Sequence, residues 1–199
     1  ESLPALRRTG KGVLRYFHTR RDGHQNQPVL QVRDGLDGSD RALVDPNAMS
    51  TDGTTSLDWY QPSNDGALLA YGVSEGGSEE RTLRIRDVTT GQDLADQITR
   101  ARYSSVCWLP GGKRFYYSRF PAKGSVPAGE EQYHRSIFEH EIGRSPDADP
   151  QVFKAKVFTD FPSCAISPNG RWLVMRVHQG WSKSSLLMAD TRQKKLVWK

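Results

Sequence analysis

The first residues able to do chemistry are Gly72-Val73-Ser74-Glu75-Gly76, which fit the G-x-S-x-G spacing of a serine nucleophile elbow. Such a serine attacks a carbonyl only with a base to take its proton and N–H groups to hold the oxyanion. Partners in hydrolase order can be assembled from Asp149 or Asp160 and His178. The elbow, however, requires a sharp strand-to-helix turn. Ser74 is followed by Glu75-Gly76-Gly77-Ser78-Glu79-Glu80 and then by the β-prone run Arg81–Val88. The sequence therefore predicts a hairpin loop with no helix and no oxyanion hole of that kind, and no catalytic residue is assigned.

Metal chemistry fares no better. Of His18, His24, His134, His140 and His178, only His134 and His140 fall on one face of a strand. Six residues along a strand separate them by about 20 Å, too far to share an ion. Surface or loop positions are expected for all five. Cys107 and Cys164 have neither CxxC nor Cys/His spacing. They occupy matching places on two apolar strands and are expected to be buried free thiols; a chain of this length does not need a disulfide. No metal or cofactor is expected.

The elements that must position these residues are short strands. Ala101–Pro121 reads as two of them, Tyr103–Leu109 and Arg114–Phe120, joined at Pro110-Gly111-Gly112. The same grammar recurs in Ser56–Ser74 and Ser163–Gln179, with marker glycines Gly66, Gly112 and Gly170 spaced 46 and 58 residues apart. The larger interval holds two polar insertions, Ala122–Gln132 and Arg144–Pro150. Upstream, Gly12–His18, Val29–Arg33 and Arg41–Asp45 form a meander divided by Gly/Asp turns, and Asp45–Asp58 reads as a loop. Nowhere does a 3.6-residue apolar period persist over a helix length. A unit of four strands repeating every 40–50 residues is the signature of β-propeller blades. The fold class is thus all-β, with blades of four antiparallel strands, and 199 residues accommodate about three to four of them.

Composition narrows the function. With 26% charged and 10% aromatic residues the chain is polar but not disordered. Its net charge of +5 is scattered over Arg7-Arg8, Arg20-Arg21, Arg84, Arg86 and Lys194-Lys195, with no basic stripe bearing stacking aromatics, so no nucleic acid is expected as partner. No apolar run approaches the ~20 residues of a membrane span, so no membrane is expected either. No signal-peptide pattern opens the chain, although Glu1 is not Met; a cytoplasmic setting is expected, with the periplasm as alternative.

Several stretches are specific enough to resemble a known family: Asn26–Leu30, Leu43-Val44-Asp45-Pro46-Asn47 before Ser50-Thr51-Asp52-Gly53-Thr54, Asp65–Ser74, Trp108–Tyr117 and Ser167–Arg171. Together they resemble the propeller of prolyl oligopeptidase, over about residues 12–190. The resemblance implies a seven-bladed propeller capping an α/β-hydrolase domain that carries Ser, Asp and His and cleaves short peptides after proline. This chain matches only the first blades. Residues 1–11 are expected to be a linker or arm and 12–199 a partial β-propeller domain. The hydrolase domain is absent from this chain, which alone is expected to be inactive.

The resemblance further implies that propeller loops beside the hydrolase domain contribute apolar residues to the substrate cleft. The matching positions are Tyr116, Phe161 and Trp181, which would contact a peptide side chain upstream of the scissile proline. Tyr116 has an equal claim to be a strand aromatic packed between blades. Trp59, Trp108, Trp172 and Trp198 are expected in the inter-blade core. The implied partners are a proline-containing oligopeptide, the hydrolase domain and the remaining blades. A function of another class, a stand-alone repeat scaffold for protein–protein interaction, is the alternative.

Overall fold

The computed structural model describes residues 2–50, 52–76 and 81–199. Thr51 of the expected Ser50–Thr54 loop and part of the expected Gly76-Gly77-Ser78 turn lie outside them. The chain divides into two units, Glu1–Gln97 and Ile98–Lys199.

The first unit carries two four-stranded antiparallel meanders. One runs β1 (Ala5–Arg8), β2 (Leu14–Arg20), β3 (Val29–Asp34) and β4 (Arg41–Val44); the next runs β5 (Ser56–Pro62), β6 (Leu68–Ser74), β7 (Thr82–Asp87) and β8 (Asp93–Ile98), which ends at the boundary. The second unit holds a third sheet, β9 (Val106–Trp108), β10 (Arg114–Arg119), β11 (Ser136–Glu141) and β12 (Gln151–Lys154). Its fourth sheet is β13 (Phe161–Ile166), β14 (Trp172–Gln179) and β15 (Lys183–Asp190). Lys199 exchanges backbone hydrogen bonds of 2.9 and 3.0 Å with Met188, adding a fourth segment beside β15. Each sheet is an antiparallel meander in chain order, of four strands in the first three sheets and three in the fourth.

Three local expectations change. Ala5–Arg8, inside the stretch expected to be an arm, pairs with β2 from Ala5 opposite Phe17 to Arg8 opposite Leu14. β8 occupies a stretch that reads as a polar link, because an edge strand buries few of its side chains (only Asp96 and Ile98 here). The Asp45–Asp58 loop contains one helical turn, α1 (Pro46–Met49). Asp45 caps it by accepting from the Asn47 N–H at 3.0 Å, with Pro46 at the first turn, where its missing N–H costs nothing. The same turn lets Asn47 grip Gln27 twice, donating to its carbonyl and accepting from its N–H, each at 2.9 Å.

The marker turns repeat down to single atoms. In Ser63–Gly66 the Gly66 N–H donates to the Ser63 carbonyl at 2.9 Å, the Ser63 hydroxyl to Asp65 at 2.7 Å, and the Leu68 N–H to the Ser63 hydroxyl at 2.9 Å. In Ser167–Gly170 the same three bonds measure 2.7, 2.7 and 2.9 Å, with Asn169 in place of Asp65 and Trp172 in place of Leu68. Both glycines have positive φ, 65° and 72°, which L side chains adopt only at a cost. Five residues beyond Gly66 and Gly112 stand Tyr71 and Tyr117, buried in the central strand, whose hydroxyls donate to Asp93 and Asp149 at 2.8 Å. The third copy has Met175 there, also buried.

Each unit has its core between its two sheets. In the first, Phe17, Leu30 and Val44 pack against Leu69, Tyr71 and Val88. In the second, Cys107, Tyr116 and Ile137 pack against Leu173, Met175 and Val177. β6 is buried along nearly its whole length, as a central strand covered on both faces must be. Trp108 is 2% exposed, its ring 4.9 Å from that of Phe115 and tilted 59° to it. Trp59, Trp172 and Trp198 are half-buried, so the expectation of core burial holds in full only for Trp108.

Candidate functional site

The exposed aromatic residues among those described, Tyr103, Tyr133, Phe158, Phe161 and Trp181, lie at one end of the third and fourth sheets. That end is defined by the start of β9, the end of β10 and the start of β11, since Tyr117 pairs with Val106 and Arg119 with Ser136. β13 begins at the same end: its Phe161 lies 5.1 Å from the Arg135 guanidinium, which also covers the Phe120 ring at 4.4 Å. At the opposite end the Gly170 turn abuts Pro110.

Arg135 organises the cluster. It is 8% exposed and has no carboxylate partner among the described residues. Its guanidinium instead donates to the carbonyls of Tyr103 and Arg102 at 3.4 and 3.3 Å, between the faces of Phe120 and Phe161. Burial pushes its pKa down to about 10, and the neighbouring Arg102 adds to the effect. A desolvated cation is tolerated here because ring faces and backbone dipoles supply negative potential. The carbonyls it grips belong to a turn in which Tyr103 has φ of 50°. That conformation turns the Tyr103 side chain outward, 58% exposed, with the Arg102 guanidinium 4.9 Å from its ring. Sequence reading places Tyr103 inside a strand; backbone of positive φ at a non-glycine residue leaves no mark in the sequence.

The same end carries Phe161, 37% exposed, opposite His178 in the β13–β14 pairing. Beyond the end of β14, Gly180 (φ 65°) turns the hairpin and leaves Trp181 wholly exposed. His134 stacks on Phe158 at 5.0 Å and meets Glu130 at 2.5 Å. Two of the three expected cleft residues, Phe161 and Trp181, are therefore on this surface. Tyr116 is not: it is 4% exposed, within the core between the two sheets, and its ring is fixed opposite Cys107 and Glu139. Phe120, Arg135 and Tyr103 are the members of the cluster that sequence reading missed. The aromatic run Phe115–Tyr117 drew attention away from the strand end, and Arg135 follows a polar insertion that looks like plain loop.

The surface offers flat apolar faces edged by guanidinium groups, which suits proline rings and peptide planes. The one hydroxyl described beside a histidine ring at this end is that of Ser184, 3.3 Å from His178 Nδ1, and among the described residues no α-helix begins there to hold an oxyanion. Ser74 is buried in the first unit, where it meets Ser56 at 2.8 Å and Asp58 at 3.2 Å. A β-bulge between Leu57 and Trp59 turns Asp58 toward it, and Arg81 holds the other carboxylate oxygen at 2.7 Å. Among the described residues no helix comes after Ser74 at the elbow position, and β7 begins at Thr82.

The remaining members of the notional triad are committed elsewhere. Asp149 accepts from Tyr117 at 2.8 Å and meets His140 Nδ1 at 2.9 Å in a buried network. Asp160 takes a 3.4 Å contact from Gln179, and His178 meets Ser184 at 3.3 Å. His18 and His140 are buried, against the expectation of surface positions for all five histidines. Of the two free cysteines, Cys107 is buried, whereas Cys164, expected to be buried too, is half-buried. No cluster of metal-ligating side chains is found among the described residues, and no helix there is long and apolar enough to cross a membrane.

Comparison with known proteins decides what these sheets are. Residues 7–199 match the family model of the prolyl oligopeptidase N-terminal β-propeller domain. The chain belongs to the prolyl oligopeptidase family. It is 31% identical over 187 residues to a prolyl endopeptidase of Elizabethkingia meningoseptica, covering 92% of this chain and 26% of that protein. It is 30% identical over 178 residues to prolyl oligopeptidase A of Galerina marginata, covering 80% of this chain and 24% of that one. A solved prolyl endopeptidase structure superposes with a TM-score of 0.90 at 28% identity, over 99% of this chain and 29% of that chain. The chain thus spans about a quarter of the length of these relatives, and what it matches is the family's N-terminal β-propeller domain. Its four sheets are blades of a partial β-propeller, and the part of the family's fold that bears the catalytic triad is not within it.

Proposed function

We propose that this chain is the substrate-gating part of a prolyl oligopeptidase-type serine endopeptidase that cleaves short peptides after proline. The nucleophile, acid and base come from an α/β-hydrolase domain outside these residues. The propeller admits short peptides and supplies one wall of the cleft. The observation that carries the reading is the family match over residues 7–199, joined to an exposed aromatic surface at one end of the third and fourth blades. There Phe161 and Trp181 contact an apolar side chain upstream of the scissile proline, while Tyr116 backs the wall from the core. The names of the relatives, prolyl endopeptidase and prolyl oligopeptidase, support the choice of substrate.

The test compares the full-length protein with the 199-residue chain on a fluorogenic Gly-Pro amide. The full-length protein is expected to turn it over, with short peptides preferred to folded proteins, and Ser74→Ala is expected to leave the rate unaltered. The chain alone is expected to be inert. Turnover by the chain that disappears in Ser74→Ala would overturn the assignment of roles, and a full-length protein indifferent to proline would overturn the substrate.

A further inference from the structure

Cys107 and Cys164 do more than fill space. Their sulfurs lie 3.2 Å apart, although 57 residues separate them along the chain. Cys107 is on β9 and Cys164 on β13, each the edge strand of its own sheet. The contact therefore spans two blades and not a hairpin. The backbone there is already tied: Ser105, two residues before Cys107, accepts the Cys164 N–H at 3.1 Å through its hydroxyl, which also lies 3.6 Å from the Cys164 sulfur. A disulfide bond is about 2.05 Å long, so the sulfurs need to close by roughly 1.2 Å, within reach of side-chain rotation.

We propose that Cys107 and Cys164 are a reversible oxidation site, taking a hydroperoxide as oxidant and a dithiol as reductant, that staples the third blade to the fourth. The two thiols are not equivalent. Cys107 is 8% exposed, and its contact with Cys164, together with burial, holds its thiol well above the ordinary range. Cys164 is half-buried and is the point of entry. Its thiolate attacks one peroxide oxygen, the O–O bond breaks, and water leaves once the departing hydroxide takes a proton; the product is a sulfenic acid. The Cys107 sulfur then attacks the Cys164 sulfur, the S–O bond breaks, and the hydroxide leaves as a second water with the Cys107 proton. The thiol pair loses two electrons and the peroxide gains them. A dithiol reverses the step by exchange, becoming a disulfide itself. The staple closes a loop that unfolding must otherwise open, and it binds together two edge strands that no ladder joins.

The experiment uses the full-length protein, folded, treated with hydrogen peroxide, alkylated and digested with trypsin. The expected product links peptide 103–113 to peptide 157–171, two hydrogens lighter than the sum, and is lost on treatment with dithiothreitol. Cys107→Ser is expected to accumulate a sulfenic acid at Cys164 that dimedone traps, whereas Cys164→Ser leaves Cys107 unmodified. Oxidised wild type is expected to melt about 5 °C above the reduced form. Both thiols remaining alkylatable after native oxidation would overturn the proposal. So would over-oxidation of Cys164 beside a free Cys107, or a cross-link that leaves the melting temperature unchanged. The wild-type digest stands by itself should either serine variant fail to fold.

Discussion

Gly72 is the first glycine of the misleading G-x-S-x-G motif, and its presence has a physical explanation that can be tested. It lies in β6 opposite Trp59 of β5. A Cβ built there would come 2.5 Å from Trp59 Nε1, 2.7 Å from Cε2 and 3.1 Å from Cζ2. Ordinary contact begins near ~3.5 Å, so Gly72→Ala requires the indole to withdraw by about 1 Å. The indole has little freedom, since the bulge at Leu57/Trp59 fixes its strand and Asp58 is bound to Ser74 and Arg81. Overpacking of this kind costs about 1–3 kcal/mol. Loss of glycine's freedom in the unfolded chain offsets about 0.4–1 kcal/mol of that. The net expectation is a loss of about 1–2 kcal/mol, read as a urea midpoint lowered by roughly 0.5–1 M with unchanged slope. The decisive assay is a double-mutant cycle with Trp59→Ala. In that background the ring is gone, and Gly72→Ala should be neutral or slightly stabilising. An equal cost in both backgrounds would refute the packing argument, and a neutral Gly72→Ala in the wild type would refute it at once.

Three further outcomes are expected. Gly170→Ala puts a side chain at φ 72° and a Cβ 2.5 Å from Pro110 Cδ, so it should cost about 2–3 kcal/mol, whereas Gly91→Ala, at the same φ with nothing within 4 Å, should cost only about 1 kcal/mol; equal losses in urea unfolding would show that the inter-blade contact is immaterial. Trp181→Ala removes a fully exposed ring and should change stability by less than ~0.5 kcal/mol, yet raise KM for a proline peptide in the full-length protein, as Phe161→Ala should; unaltered steady-state kinetics in both would remove them from the cleft. The hydrogen bond from Arg15 lowers the pKa of Asp34, and the Thr90 N–H lowers that of Asp87. Carboxyl groups depressed in the folded state contribute stability that is present above about pH 4 and lost as pH falls through their folded values. Urea midpoints should therefore drop between about pH 5 and pH 3, and Asp34→Asn should flatten the drop by only about a few tenths of a kcal/mol, because that carboxylate is half exposed; identical pH slopes with and without Asp34 would contradict the linkage.

Much of the fold was legible because its signals are local. The turns at Ser63–Gly66 and Ser167–Gly170 are written in residue types that can form only a few hydrogen-bond patterns, and their spacing exposes the blade repeat. The Leu43–Asn47 stretch was legible only in part: its cap, proline and clasp onto Gln27 build a helical turn where the sequence reads as loop. Edge strands were harder. β1 and β8 bury little, so their apolar content does not stand out, and only the neighbouring strand that pairs with them declares them.

The site divides along the same line. The sequence by itself determined that Ser74 has no elbow, since the Glu-Gly-Gly-Ser run after it is no start for a helix, and that Phe161 and Trp181 sit where a core has little use for them. Tertiary structure alone decided that Tyr116 belongs to the inter-sheet core, because β10 carries a run of neighbouring aromatic side chains and only the pairing of the two sheets fixes which are covered. It alone brought Arg135 between Phe120 and Phe161, from three different strands or strand ends. And it alone set two cysteines 3.2 Å apart across two blades. The physical reason is common to all three: residue type and spacing fix what lies near in sequence, whereas the contact between sheets depends on how whole surfaces pack, which no single segment carries.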